Sequence, residues 1–88
     1  MTVTLDATSG TTCTITERTP SSVCPFVLPM SKPDLIDALK TFCADAESKF
    51  ETFGSINFER RRDGIMLHVG SGQFLIRYPH VLELILEA

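Results

Sequence analysis

Two turn signals, Asp63-Gly64 and Ser71-Gly72, divide the run from Ile56 to Tyr78 into three segments in which apolar and polar residues alternate. Alternation of period two marks half-buried strands, and a Gly-ending dipeptide between two such runs marks a hairpin. With two-residue turns at both places, Phe58 pairs with Val69 and Val69 with Phe74, while Leu67 faces Ile76 and Ile65 faces Tyr78. Each turn then independently puts Ile56, Phe58, Ile65, Leu67, Val69, Phe74, Ile76 and Tyr78 on one side of a three-stranded antiparallel meander. A slip of one residue would turn a strand's apolar set to water, so agreement between the two turns is a strong constraint on the fold.

The apolar side of such a meander needs a cover, and the segment before it supplies a helical one. Ser31-Lys-Pro-Asp34 has the form of a helix start, with a hydroxyl to accept an amide of the first turn and a proline where none is needed as a donor. Leu35, Ile36, Leu39, Phe42, Cys43, Ala46 and Phe50 then follow helical spacing, with Asp37, Lys40, Asp45 and Lys49 off that stripe. Gly54 reads as the left-handed residue that ends this helix.

Upstream, Thr2 to Thr16 alternates apolar and β-branched polar residues, which predicts a hairpin. A three-residue loop at Thr8-Ser9-Gly10 sets Val3 opposite Ile15 and Leu5 opposite Cys13, all on one side, whereas a two-residue turn would split them. Between Thr19 and Met30, Pro20, Pro25 and Pro29 break regular structure while Val23, Phe26, Val27, Leu28 and Met30 ask to be buried. An extended crossover over the core, with a short edge strand at Phe26 to Leu28, reconciles the two. The tail from Pro79 to Ala88 reads as a short helix with His80, Glu83 and Glu87 along one side. Alternation of Leu82, Leu84 and Leu86 leaves a fourth strand as the alternative.

The fold class expected is therefore α+β and two-layered, with residues 1–88 forming one domain. Its parts are an N-terminal hairpin, one long helix on a three-stranded meander, and a short C-terminal helix. A chain of 88 residues holds one core, and 43% apolar residues with six Phe are enough to form it.

Composition limits what this domain does. A net charge of -3 argues against a dedicated nucleic-acid binder, because phosphate neutralisation needs Lys and Arg. Nothing approaches the roughly 20 apolar residues of a membrane span, and the N-terminus lacks the basic start and apolar run of a signal peptide, so a cytoplasmic protein without membrane contact is expected. Cys13, Cys24 and Cys43 fit neither a zinc knuckle nor a disulfide framework and read as reduced thiols. Cys13 and Cys43 fall on apolar faces, and nothing beside Cys24 would activate it as a nucleophile. His80, Glu83 and Glu87 have a spacing that metal sites use, but with no second cluster they read as a polar helix face. Gly70-Ser-Gly72 lies between strands and opens no helix, so it is a turn and not a phosphate loop. No catalytic set, cofactor site or metal site is expected.

What remains is surface. On the outer side of the meander the register places Arg61 and Arg77 beside Met66, and Glu59 and Leu75 beside His68. Arginine next to exposed Met and Leu suits a protein partner, since guanidinium groups pair with carboxylates and stack on apolar groups. Arg61, Met66, His68, Leu75 and Arg77 are the expected partner-binding residues. Arg60 and Arg62 point toward the rim of the core instead. The apolar tail, through Val81, Leu82, Ile85 and Leu86, is expected to dock or self-associate, which makes a homodimer possible. The function expected is a small non-catalytic protein-binding module of the inhibitor, adaptor or chaperone-like accessory kind. The alternative is a single-stranded nucleic-acid-binding domain using the arginine-bearing face.

Overall fold

A computed structural model describes residues 2–45 and 47–86. The chain runs β1 (Thr2–Ala7), β2 (Cys13–Thr19), β3 (Ser22–Leu28), α1 (Lys32–Ala44), β4 (Phe50–Phe53), β5 (Ile56–Arg60), β6 (Gly64–Val69), β7 (Gly72–Arg77) and α2 (Tyr78–Leu86). The strands form two antiparallel sheets in sequence order, β1-β2-β3 and β4-β5-β6-β7. The α+β class holds, while the strand count of both sheets exceeds the expectation.

In the first sheet Leu5 lies opposite Ile15 and Val3 opposite Glu17, two residues from the expected register. The loop is longer than Thr8-Ser9-Gly10 because the amides of Thr8 and Ser9 both donate to the Thr12 carbonyl, and the Ser9 and Thr12 hydroxyls bond at 2.9 Å. The shift is even, so Val3, Leu5, Cys13 and Ile15 stay on one side.

The Pro-rich segment is a full strand and not a crossover with a short edge piece. Cys13 to Thr19 pairs along its length with Ser22 to Leu28, closing over Pro20 and Ser21. Proline is tolerated there because β3 is an edge strand: in an antiparallel ladder alternate residues point their amides away from the neighbour, and Pro25 occupies such a position.

Helix α1 begins as expected, with Ser31 extended at φ -65° and its hydroxyl accepting from the Asp34 amide at 3.3 Å. It ends earlier, at Ala44. Ala46, assigned to its apolar stripe, lies outside the described residues, and Phe50 belongs to β4. The Asp45 amide makes the last helical bond, to the Thr41 carbonyl, and its backbone then leaves the helical region at φ -95°, ψ 84°. The Arg60 guanidinium caps this end, donating to the carbonyls of Phe42 (2.6 Å), Asp45 (2.9 Å) and Ser48 (3.0 Å). Carbonyls at a helix C-terminus need donors from outside, and a cation also suits the negative end of the dipole. Arg60 further lies 4.7 Å from the Phe42 ring centroid.

Gly54 accordingly is no helix cap. At φ 61° it is the first residue of a Gly54-Ser55 turn joining Phe53 to Ile56. Gly70, at φ 58°, does the same in a Gly70-Ser71 turn joining Val69 to Gly72. A positive φ at the first of two central residues is what a type II′ hairpin asks of glycine.

In the second sheet Phe58 pairs with Leu67 and Leu67 with Phe74, and Ile65 pairs with Ile76. Both interfaces sit two residues from the expected register, so the sidedness again survives. Asp63-Gly64 is not the centre of a two-residue turn. The loop runs from Arg61, whose amide donates to the Gly64 carbonyl at 2.8 Å. Gly64 is inside β6, where a Cβ would overlap the Ile76 carbonyl oxygen and meet Arg77 Cα at 2.7 Å. Close approach of β7, not turn geometry, calls for glycine there.

Buried residues from both sheets and both helices form one apolar cluster, including Ile15, Leu28, Leu39, Phe42, Phe58, Leu67, Ile76 and Val81. Phe42 of α1 meets Phe58 edge-on at 5.7 Å and Phe53 at 6.5 Å, fastening the helix to the four-stranded sheet. Phe26 and Phe74, 5.5 Å apart, join the two sheets. Helix α2 is the expected tail helix and contacts α1, β1, β6 and β7.

Candidate functional site

The outer side of the four-stranded sheet collects the side chains that the core does not use. The registers align Phe50, Glu59, Met66 and Leu75 in one cross-strand row, and Thr52, Asn57, His68 and Gln73 in the next. All five expected partner-binding residues belong to this side: Met66, His68 and Leu75 are half-buried within it, and Arg61 and Arg77 are exposed at its end. The neighbours differ from those expected, because of the two-residue shift. Met66 lies between Glu59 and Leu75, and His68 between Asn57 and Gln73, while Arg77 stands opposite Gly64.

Glu59 organises the charge. His68 Nε2 lies 2.9 Å from its Oε1, and Arg61 Nε lies 3.1 Å from its Oε2. The hydrogen bond to His68, then that to Arg61, holds the Glu59 carboxyl below its ordinary value, slightly opposed by desolvation. Arg61 is therefore held back on the carboxylate of Glu59, the residue opposite Met66. Arg77 makes no ion pair among the described residues.

Strand β4 adds what reasoning from the sequence missed. Phe50 is 68% exposed, and with Glu51, Thr52, Asn57 and His68 it lines a concavity of about 410 Å³. The Thr52 hydroxyl donates to Asn57 Oδ1 at 2.7 Å along its wall. Helical spacing from Leu35 reached Phe50 and absorbed it. The signal that could have found β4 is the repeated Gly-Ser dipeptide, since Gly54-Ser55 follows Phe50 to Phe53 as Gly70-Ser71 follows β6.

The expected self-association residues separate. Val81 is 1% exposed and belongs to the chain's own core, because α2 turns that side toward β6 and β7, and this corrects its assignment to a surface. Ile85 is half-buried against the core, and Leu82 and Leu86 are exposed.

Arg60, assigned to the rim of the core, sits there as the cap of α1, and Arg62 is exposed in the turn. Cys13 is buried, Cys43 half-buried and Cys24 exposed. Burial raises the thiol pKa of Cys13 against the pull of Lys32, and that of Cys43 against the pull of Arg60. His80 Nδ1 is 3.6 Å from Glu83, beyond a hydrogen bond, and Glu87 lies outside the described residues. Among the described residues no three His, Cys, Asp or Glu side chains gather as a metal site would require, and no helix is long and apolar enough to cross a membrane.

Comparison with protein families, with curated proteins and with solved structures finds no match to this chain.

Proposed function

We propose that the chain is a small non-catalytic protein-binding module, an inhibitor, adaptor or accessory protein, that works in the cytoplasm through the outer side of its four-stranded sheet. One observation carries this reading: Phe50, Met66 and Leu75 share a cross-strand row on the solvent side with the paired Glu59 between Phe50 and Met66, and Arg61 and Arg77 stand at the sheet's end. Apolar side chains with arginine beside them suit a protein interface, where Arg and Met are enriched. Exposed Leu82 and Leu86 of α2 give a second apolar contact.

The test is capture of partners from the native host on immobilised protein, compared with Leu75→Asp and Arg77→Glu. Proteins retained by the wild type and lost by both variants, with unchanged far-ultraviolet circular dichroism, support the reading. Retention unaffected by either change removes it.

A second reading, single-stranded nucleic-acid binding, gains one observation: Phe50 is an exposed aromatic beside the arginine-bearing face, where a base could stack. It requires binding to a single-stranded oligonucleotide that weakens with salt and with Phe50→Ala. Salt-independent or absent binding rejects it.

A further inference from the structure

Among the free edges of the two sheets, β3 carries Pro25 while β4 keeps its outward backbone groups open to pairing. The Gly54-Ser55 turn closes with Phe53 opposite Ile56, so Glu51 opposite Phe58 is the next pair bonded to β5. The Arg60 amide donating to the Lys49 carbonyl at 2.7 Å continues that alternation. The amides of Phe50 and Thr52 and the Thr52 carbonyl therefore point outward from the sheet. No proline interrupts them, in contrast to Pro25 on β3. At this edge stand exposed Phe50, exposed Lys49 and half-buried Glu51.

We propose that this edge pairs with the same edge of a second copy of the chain, antiparallel, in the register that sets Phe50 opposite Phe50. This inference shares Phe50 with the proposed function and does not rest on that reading. The charge pattern selects the register. With Phe50 at the two-fold axis, Lys49 of each copy lies across from Glu51 of the other, so opposite charges face each other twice by symmetry. Moving the axis to Glu51 would oppose two carboxylates, which is unfavourable. The chosen register also covers the exposed Phe50 rings with each other and joins the two four-stranded sheets into one continuous sheet.

Light scattering and sedimentation of the full chain test this over a range of concentrations up to about 1 mM. The wild type gives a dimer mass. Thr52→Pro removes an outward amide that the chain's own sheet does not use, and gives a monomer. Lys49→Glu and Glu51→Lys each weaken the dimer about tenfold or more, and the double reversal K49E/E51K restores it. A wild type that stays monomeric throughout overturns the proposal, as does a dimer that survives Thr52→Pro with an unchanged circular dichroism spectrum. A double reversal no tighter than the single changes also overturns it. Should Thr52→Pro fail to fold, the charge reversals on the strand's rim decide alone.

Discussion

The three-stranded and four-stranded sheets contribute to the same core yet face water in different ways. On the outer side of the first, the registers align Thr4, Thr16 and Pro25 in one row, with Asp6, Thr14 and Val27 in the next. Its free edge at β3 carries a proline where a donor would be, a common guard against strand addition. The outer side of the second holds arginine, histidine, methionine, leucine and an exposed phenylalanine, and its edge at β4 carries no such guard. A small domain cannot hide all its apolar surface: the first sheet exposes Val23 and Val27, and the second exposes Phe50 beside the arginines on which the proposed function rests.

That contrast presumes that the sheets fold as one unit. Phe58→Ala in the second sheet opens a cavity beneath Phe42 and Phe53, and a loss of about 3–5 kcal/mol is expected. Ile15→Ala in the first sheet is expected to cost about 2–5 kcal/mol. Urea unfolding followed by amide exchange should show both sheets losing protection together in each variant. A first sheet that stays protected in Phe58→Ala would break the comparison.

The hairpin loops sharpen it. Gly64→Ala drives a methyl into the β7 backbone, and destabilisation of about 2 kcal/mol or more is expected from the forced shift. A Cβ at Gly10 meets nothing within 4 Å, so Gly10→Ala should be neutral, or stabilising by about 0.4–1 kcal/mol through the unfolded chain. Urea midpoints of the two variants test the difference.

Arg60→Ala strips the donors from three carbonyls at the end of α1 and in the loop after it, and a cost of about 1–3 kcal/mol is expected. Arg60→Lys should recover only part of the loss, because one ammonium cannot reproduce the planar fork that spans Phe42, Asp45 and Ser48. A full rescue by lysine would show that charge alone suffices.

The smallest effect is expected at Glu59. Its carboxyl titrates below its ordinary value because His68 and Arg61 bond to the ionised form. The stability it contributes is therefore present above the unfolded pKa and is lost as pH falls through the lower folded value. Urea midpoints from about pH 6 to about pH 3 should fall less steeply in Glu59→Gln than in the wild type. Identical slopes would remove Glu59 from the account.

How much of this was legible depended on which physical rule each residue obeys. The start of α1 could be read because Ser31, Pro33 and Asp34 act within one turn. The side of the sheet on which Arg61, Met66, His68, Leu75 and Arg77 lie could be read because alternation records sidedness. Phe50 could not, since its spacing from Leu39, Phe42 and Cys43 suits a helix and Phe50-Glu-Thr-Phe53 carries no strand alternation to oppose it. The donor that caps the end of the helix, Arg60, lies far along the chain, where no local pattern reports it.

While it left the tail open between helix and strand, the sequence by itself determined the faces, that is, which residues of each strand are apolar, and where α1 starts. It could do so because sidedness repeats every two residues, so all three hairpins misplaced by two kept their inner and outer sets. Only the tertiary structure decided the registers, the conversion of Phe50 to Phe53 into an edge strand, and the pairing of the Pro-rich segment with β2. Those depend on the Thr12 carbonyl gathering two amides, on β7 crowding Gly64 and on Arg60 reaching across to α1. Each is a contact between residues brought together by folding, and a pattern of neighbours along the chain does not encode it.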